Sequence, residues 1–375
     1  MNAAPPIGAP RRTRRQSALP AFLGANPHSA SQKLPVGKLP VELLRRMLAR
    51  APGAEVDARI LLPPGVGLDC AVVDLGERLL VFKSDPITFA TAEIGWYLVQ
   101  VNVNDIATTG ALPRWLLLTM LLPEDQTTPE LVEAISAQVF DACRALGIAV
   151  LGGHTEITHG LQRPLLVGTL VGEVARAALV TPQGAQPGDR LLLTKGVPIE
   201  ATALMAREFA ERLQGVLSAE ELAAAQNFLY EPGLSVLRDA QTALRAGRVT
   251  AMHDPTEGGL AAALWELAWA SGLALEVDCS AVPIPPLSAR ICAALGLDPL
   301  ASIASGALLL TAPPADAAAI AQALRAAGIP CAEIGGALPG PPEVRCLTTA
   351  GHGPPTPLPY PTQDAIAALY TDNNG

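Results

Sequence analysis

Four aspartates, Asp69, Asp85, Asp105 and Asp254, stand where a carboxylate has chemistry to do. Asp85 and Asp254 each precede a proline, which holds the chain extended or in a turn. An aspartate at such a position is most often a turn or cap residue. Asp105 has no turn to serve. It falls at helical spacing from Leu98 and Val101, with Asn102 three residues before it on the same side. A carboxylate on an apolar helix face is costly to bury unless it is paired or binds a cation. A strand ending at Asp85 and a following helix carrying Asp105 can bring the two to one point. Magnesium needs such an arrangement: few carboxylates, with a substrate phosphate completing the shell.

A second segment, Gly152-Gly153-His154-Thr155-Glu156, follows a short apolar run. Backbone N–H groups of such a turn can hold phosphate oxygens, and plain turn chemistry explains the same residues. No Gly-Lys-Ser or Gly-Lys-Thr follows, so this is not a Walker loop. Gly258-Gly259 opens a helical pattern, and helix N-termini attract anions.

The elements that must position these groups read as mixed strands and helices. Leu79–Ser84 reads as a strand stopped by Pro86. A helix spans residues 92–109, with Thr91 as N-cap and Glu93 in its first turn. Residues 115–122 form an apolar run expected to be a buried strand. Thr128-Pro129 opens a helix that Gly147 ends. Strands are expected at residues 148–151, 165–174, 191–194 and 307–311. Helices are expected at residues 41–50, 199–213, 218–230, 235–246, 260–270, 289–295 and 315–327, and residues 253–259 read as a loop. The expected organisation is a disordered basic arm (1–34), a first domain (35–180), a second domain (181–350) and a proline-rich tail (351–375). The mixed strands and helices make the first domain α/β or α+β.

The net charge of −9 over 375 residues argues against general nucleic-acid binding, which wants a basic face. The six cysteines are scattered without a C-x-x-C pair, so a disulfide framework is not expected and a reducing, cytoplasmic compartment fits. Residues 258–277 are the most apolar window, but Glu266 within it favours a buried helix over a membrane span.

Taken in order, the motifs resemble one superfamily: AIR synthase, selenophosphate synthetase, thiamine-monophosphate kinase and the hydrogenase maturation protein HypE. They are G-x-D-x-A-V at 67–72, Ser84-Asp85, V-N-x-N-D-I-A-x-x-G-A at 101–111, G-G-x-T-E at 152–156, P-G-D at 187–189 and D-P-T-x-G-G-L at 254–260. Gly37-Lys-Leu-Pro40, Asp254-Pro-Thr and Leu295-Gly-Leu-Asp-Pro299 look most like HypE and HypE-like AIR synthase-related proteins. The resemblance implies an α+β fold class, with an α/β-like N-terminal domain (35–180) that binds ATP and magnesium and pairs with its copy in a homodimer, plus an α+β C-terminal domain (181–350), the cleft activating an oxygen or phosphorylating a small-molecule or protein-bound acceptor. It implies Asp69, Asp85, Asp105 and Asp254 as magnesium ligands and Gly152, Gly153 and Thr155 on the nucleotide side. Phosphoribosylformylglycinamidine cyclo-ligase, thiamine-monophosphate kinase and a non-catalytic nucleotide- or partner-binding paralogue are the alternatives. The chain departs from the family pattern at Leu68 and His154, where acids are common. HypE carries a reactive cysteine in a terminal Pro-Arg-x-Cys, whereas the last cysteine here is Cys346, so the carbamoyl-carrying step is not expected.

Overall fold

The structure is a computed structural model, and it describes residues 39–52, 55–87, 93–347 and 354–371. The expected basic arm, the Thr91 N-cap and the last four residues lie outside the described residues.

The first half builds one mixed sheet. Its strands are β1 (Ile60–Leu62), β2 (Ala71–Asp74), β3 (Arg78–Ile87), β4 (Leu112–Pro123), β5 (Ala149–Thr158) and β6 (Leu165–Ala175). Their spatial order is β1-β2-β3-β6-β4-β5, and only β4 with β5 is parallel. Helices α1 (Val41–Leu48), α2 (Ile94–Thr108) and α3 (Pro129–Leu146) accompany them. Along β6 the side chains alternate between buried and half-buried, the period-two signature of a strand with one face on the core. α2 lies on that face against β3 and β6, and α3 packs on α2. Thr128 caps α3, Pro129 takes its first turn and Gly147 closes it in the left-handed region, as its sequence signals require.

The second half builds a seven-stranded sheet from β7 (Arg190–Thr194), β8 (Ala251–His253), β9 (Ala274–Val277), β10 (Leu309–Ala312), β11 (Cys331–Leu338), β12 (Glu343–Cys346) and β13 (Thr356–Pro357), in the order β13-β12-β9-β11-β7-β10-β8. Its helices are α4 (Ile199–Glu208), α5 (Ala219–Gln226), α6 (Leu237–Ala246), α7 (Gly259–Ser271), α8 (Pro286–Leu295), α9 (Pro314–Ala326) and α10 (Ala367–Thr371). Buried Asn104 ties the halves together: its amide donates to Leu234 O at 2.8 Å and accepts from Val236 N at 2.9 Å. No helix among the described residues is long and apolar enough to cross a membrane.

Three expectations are corrected. Pro86 does not stop its strand: β3 runs on to Ile87, with Pro86 opposite Val167. β2 covers β3 only as far as Phe82, so beyond it β3 has one open edge, where a residue without an N–H is tolerated. The Gly152–Glu156 segment is not a turn but the middle of β5. Gly153 is required there, since a Cβ would fall 1.7 Å from Leu118 O across the β4–β5 ladder. Finally, Cys279 and Cys346 are joined by a disulfide, with Cα atoms 5.8 Å apart. They are 67 residues apart in sequence, so spacing gives no hint of the pair. The parallel pairing of β9 with β12 brings them together.

Candidate functional site

The aspartate cluster forms where the edge of the first sheet meets the α2 and α7 sides of the fold. Asp85 projects from β3 and Asp105 from the last turns of α2, with Lys83 between them. The Lys83 ammonium lies 3.1 Å from Asp85 Oδ2 and 3.1 Å from Asp105 Oδ2. Asn102, one turn before Asp105, fixes the geometry by accepting the backbone N–H of Asp85 at 3.2 Å and donating to Leu98 O at 2.9 Å. Cys70 adds a thiol donor to Asp105 O at 3.3 Å.

Asp69 and Asp254 arrive from the loops. Asp69 stands two residues before β2, and Gly67 brings that loop against α7. A Cβ on Gly67, whose φ is +75°, would meet Glu266 O at 2.5 Å. Asp254 follows β8 directly, so its predecessor His253 ends a strand rather than lying in the expected loop. His253 Nδ1 is 3.1 Å from Asp69 Oδ2, and its Nε2 is 2.8 Å from Glu266 Oε2. Asp69, His253 and Asp254 each offer a donor atom, all within 4.8 Å of one another.

The four aspartates lie close enough to act on one another's charge. Burial raises the Asp105 pKa well above the carboxylate range, Lys83 opposes the rise, and Asp254, Asp85 and Asp69 add to it. Burial and then the Asp69 charge push Asp254 up to about 7. Burial alone would lower the Lys83 pKa, but Asp105, Asp69 and Asp85 raise it well above the usual value. Burial also opposes the charge on His253, and Asp69 and Glu266 reverse the effect. Asp254 is 1% exposed and neither carboxylate oxygen has a hydrogen-bond partner. Asp105 Oδ2, also buried, has the Lys83 ammonium 3.1 Å away as its charge partner. Unpartnered buried oxygens like those of Asp254 mark a place where a cation completes the structure. A cavity of about 290 Å³ adjoins the cluster, lined by Leu68, Asp69, Glu266, Trp269, Tyr360 and α1.

The chain thus gathers Asp69, Asp85, Asp105 and Asp254. It does not gather the expected nucleotide residues with them. Gly152, Gly153 and Thr155 lie on β5, three strands from β3, roughly 14 Å at the usual strand spacing. His154 lies there too, its Nε2 2.9 Å from Glu156 Oε2 at the surface. Lys83, His253 and Glu266 belong to the site and were not singled out from the sequence. The available signal was Glu266 itself, an acid inside an otherwise apolar helix.

Known proteins share this architecture. The AIR synthase related protein N-terminal domain matches residues 67–174 and its C-terminal domain residues 186–345. Carbamoyl dehydratase HypE of Rhodobacter capsulatus is 31% identical over 295 residues, covering 72% of this chain and 80% of that protein. The HypE of Cupriavidus necator is 30% identical over 246 residues, 64% of this chain and 66% of that one. Among solved structures, a hydrogenase maturation protein HypE in complex with ATP superposes with a TM-score of 0.63 at 26% identity, covering 79% of this chain and 89% of that chain. The chain belongs to the AIR synthase-related family and stands with its HypE-like members.

Proposed function

We propose that this chain is an ATP- and magnesium-dependent enzyme that activates an oxygen, or transfers a phosphoryl group to one, on a small-molecule or protein-bound acceptor. Asp69, Asp85, Asp105 and Asp254 are the metal-holding carboxylates in this reading. The observation that carries it is Asp254, fully buried with both oxygens unpartnered beside three other carboxylates. The residues present fit a divalent cation: hard oxygen donors, converging, with buried lone pairs unsatisfied. Bound there, magnesium neutralises phosphate charge and polarises the transferred group.

The chain's own residues supply positioning and fixed charge. Lys83 holds Asp85 and Asp105 on one side of the site and presents a positive charge to an incoming phosphate. Asn102 locks the β3–α2 angle that sets the distance between those two carboxylates. The cavity beside Asp69, walled by Leu68, Trp269 and Tyr360, suits an acceptor with an apolar body and a polar reacting end. ATP enters this reading through the HypE structure solved with it.

The assembly in this reading is a homodimer. β5 is the edge of its sheet and is exposed along nearly its whole length, with Leu151 and Ile157 open to solvent. A long apolar edge of this kind invites pairing. Pairing there carries Gly152, Gly153 and Thr155 of each copy to the other, which is where we assign their contact with nucleotide.

A second reading, a nucleotide- or partner-binding protein without turnover, draws on Lys83, a resident cation already balancing two of the carboxylates. Phosphate release from ATP across an acceptor panel, cyclo-ligase and thiamine-phosphate substrates included, separates the two. Acceptor-dependent release that Asp254→Asn abolishes supports the enzyme. Tight ATP binding with no release from any acceptor supports the second reading.

A further inference from the structure

Away from the aspartate cluster, α2 and α4 each bury an oxygen that has no hydrogen-bond partner among the described residues. One is the Tyr97 hydroxyl on α2, a residue 2% exposed. The other is Oε2 of Glu200 in the first turn of α4, a residue 7% exposed. The Glu200 carboxyl accepts from Ser305, and Oε2 is the oxygen left over. The two helices meet in one core, where Tyr97 packs in the same cluster as Ile199 and Ala203. Burial raises the Tyr97 pKa well above its usual value, and among charges Glu200 adds most to the rise. The phenol therefore stays neutral and keeps its donor. Two buried polar oxygens close enough to interact, yet not bonded to each other, leave a role for a group between them. The loop that carries Ser305 also reaches the loop of Asp254. Ala201 N–H donates to Ile303 O at 3.0 Å, and Ala304 N–H donates at 3.3 Å to the carbonyl of Thr256, two residues after Asp254.

We propose that Tyr97 and Glu200 form a second polar subsite, which holds a neutral group bearing both a hydrogen-bond donor and an acceptor oxygen. The group accepts from the Tyr97 hydroxyl. Glu200 Oε2 accepts when the carboxyl is ionised and can donate when it is protonated, so a group with both roles meets it in either state. A carboxylate or phosphate has no donor to give and is repelled by the ionised Glu200. An ammonium has no acceptor for the Tyr97 proton and loses its hydration on burial. The inference rests on the proposed reading in one respect: it takes the ligand to be the polar part of the acceptor, held through the 254–256 segment in a fixed relation to the metal-holding carboxylates.

The test uses the full chain at pH 8, above the value of about 7 to which burial lifts Glu200. Acetamide, acetate and methylammonium serve as neutral, anionic and cationic probes, titrated by saturation-transfer NMR, and ATP binding in the presence of Mg2+ is measured separately. Wild type is expected to bind acetamide at least about tenfold more tightly than either ion. Tyr97→Phe is expected to keep its melting temperature, because the hydroxyl it removes has no partner, and to lose at least about fivefold in acetamide affinity. Glu200→Leu is expected to lose a similar factor, and if it does not fold the Tyr97→Phe result decides. No acetamide binding by wild type (the outcome for a site filled by water alone), equal binding by Tyr97→Phe, or tighter binding of either ion overturns the inference, while magnesium-supported ATP binding leaves the wider reading standing. Acetamide binding that Tyr97→Phe weakens, without any ATP binding, keeps the subsite and overturns the wider reading.

Discussion

The ammonium of Lys83 stands 3.1 Å from the carboxylate of Asp105, and both groups are withdrawn from solvent. Removing one partner of a buried pair leaves an uncompensated charge, at a cost of about 3–5 kcal/mol. Lys83→Met is therefore expected to lower the melting temperature sharply. Added Mg2+ should recover more of the loss in the variant than it adds to the wild type, because the carboxylates it meets are no longer neutralised. Calorimetric melts with and without Mg2+ check this, and an unchanged melting temperature in Lys83→Met contradicts the pairing.

Glu200, buried at the start of α4, gives a pH dependence independent of the metal cluster. Burial pushes its carboxyl from 4.5 up to about 7. Between those values the folded chain keeps a proton that the unfolded chain has lost. The contribution of Glu200 to stability is thus fully present below pH 4.5 and is lost as pH rises through about 7. The expected slope is about 1.4 kcal/mol per pH unit at most. Denaturant unfolding of wild type and Glu200→Gln between pH 5 and 8 should show a steeper decline in the wild type. Parallel curves would show that Glu200 ionises freely in the fold.

Leu151 and Ile157 on the open edge of β5 test the assembly. Sedimentation should find the wild type as a dimer and the double variant Leu151→Glu/Ile157→Glu as a monomer, with little change in melting temperature because neither side chain is in the core. A monomeric wild type, or a double variant that still dimerises, removes β5 as the interface.

Asp364 closes the entrance to α7. One oxygen accepts the backbone N–H of Gly258 at 2.6 Å and the other that of Ile366 at 3.0 Å. Asp364→Ala leaves these buried donors unsatisfied and should destabilise the fold by about 1–3 kcal/mol. It should also weaken metal binding by loosening the loop that carries Asp254. Metal titration and denaturant unfolding of the variant test both effects, and unchanged values for both contradict the tether.

The gathering of the aspartates was legible in the sequence where a residue breaks local rules. Asp105 violates an apolar helix and has no turn to excuse it, and Asp85 closes an apolar strand run. Packing of α2 on β3 brings the two to either side of Lys83. The partners that complete the site were not legible. Lys83 precedes Asp85 by two residues and so shares its strand face, yet a lysine at a strand end is ordinary. His253 and Glu266 meet only because β8 feeds α7 through a compact loop, a tertiary fact no spacing encodes. The Gly152-Gly153 pair misled in the opposite direction. Gly153 serves the close approach of β4 and β5 rather than a turn. The disulfide and the short strands β9, β11, β12 and β13 depend on long-range pairing and left no periodic trace.

The proposed reaction requires carboxylates gathered at one cation beneath a nucleotide. Isothermal titration of ATP in the presence of Mg2+, on wild type, Asp105→Ala and Asp254→Asn, measures this most directly. Wild type is expected to bind saturably, and each variant to lose at least about tenfold in affinity, near 1.4 kcal/mol. Equal affinity in all three proteins would contradict it.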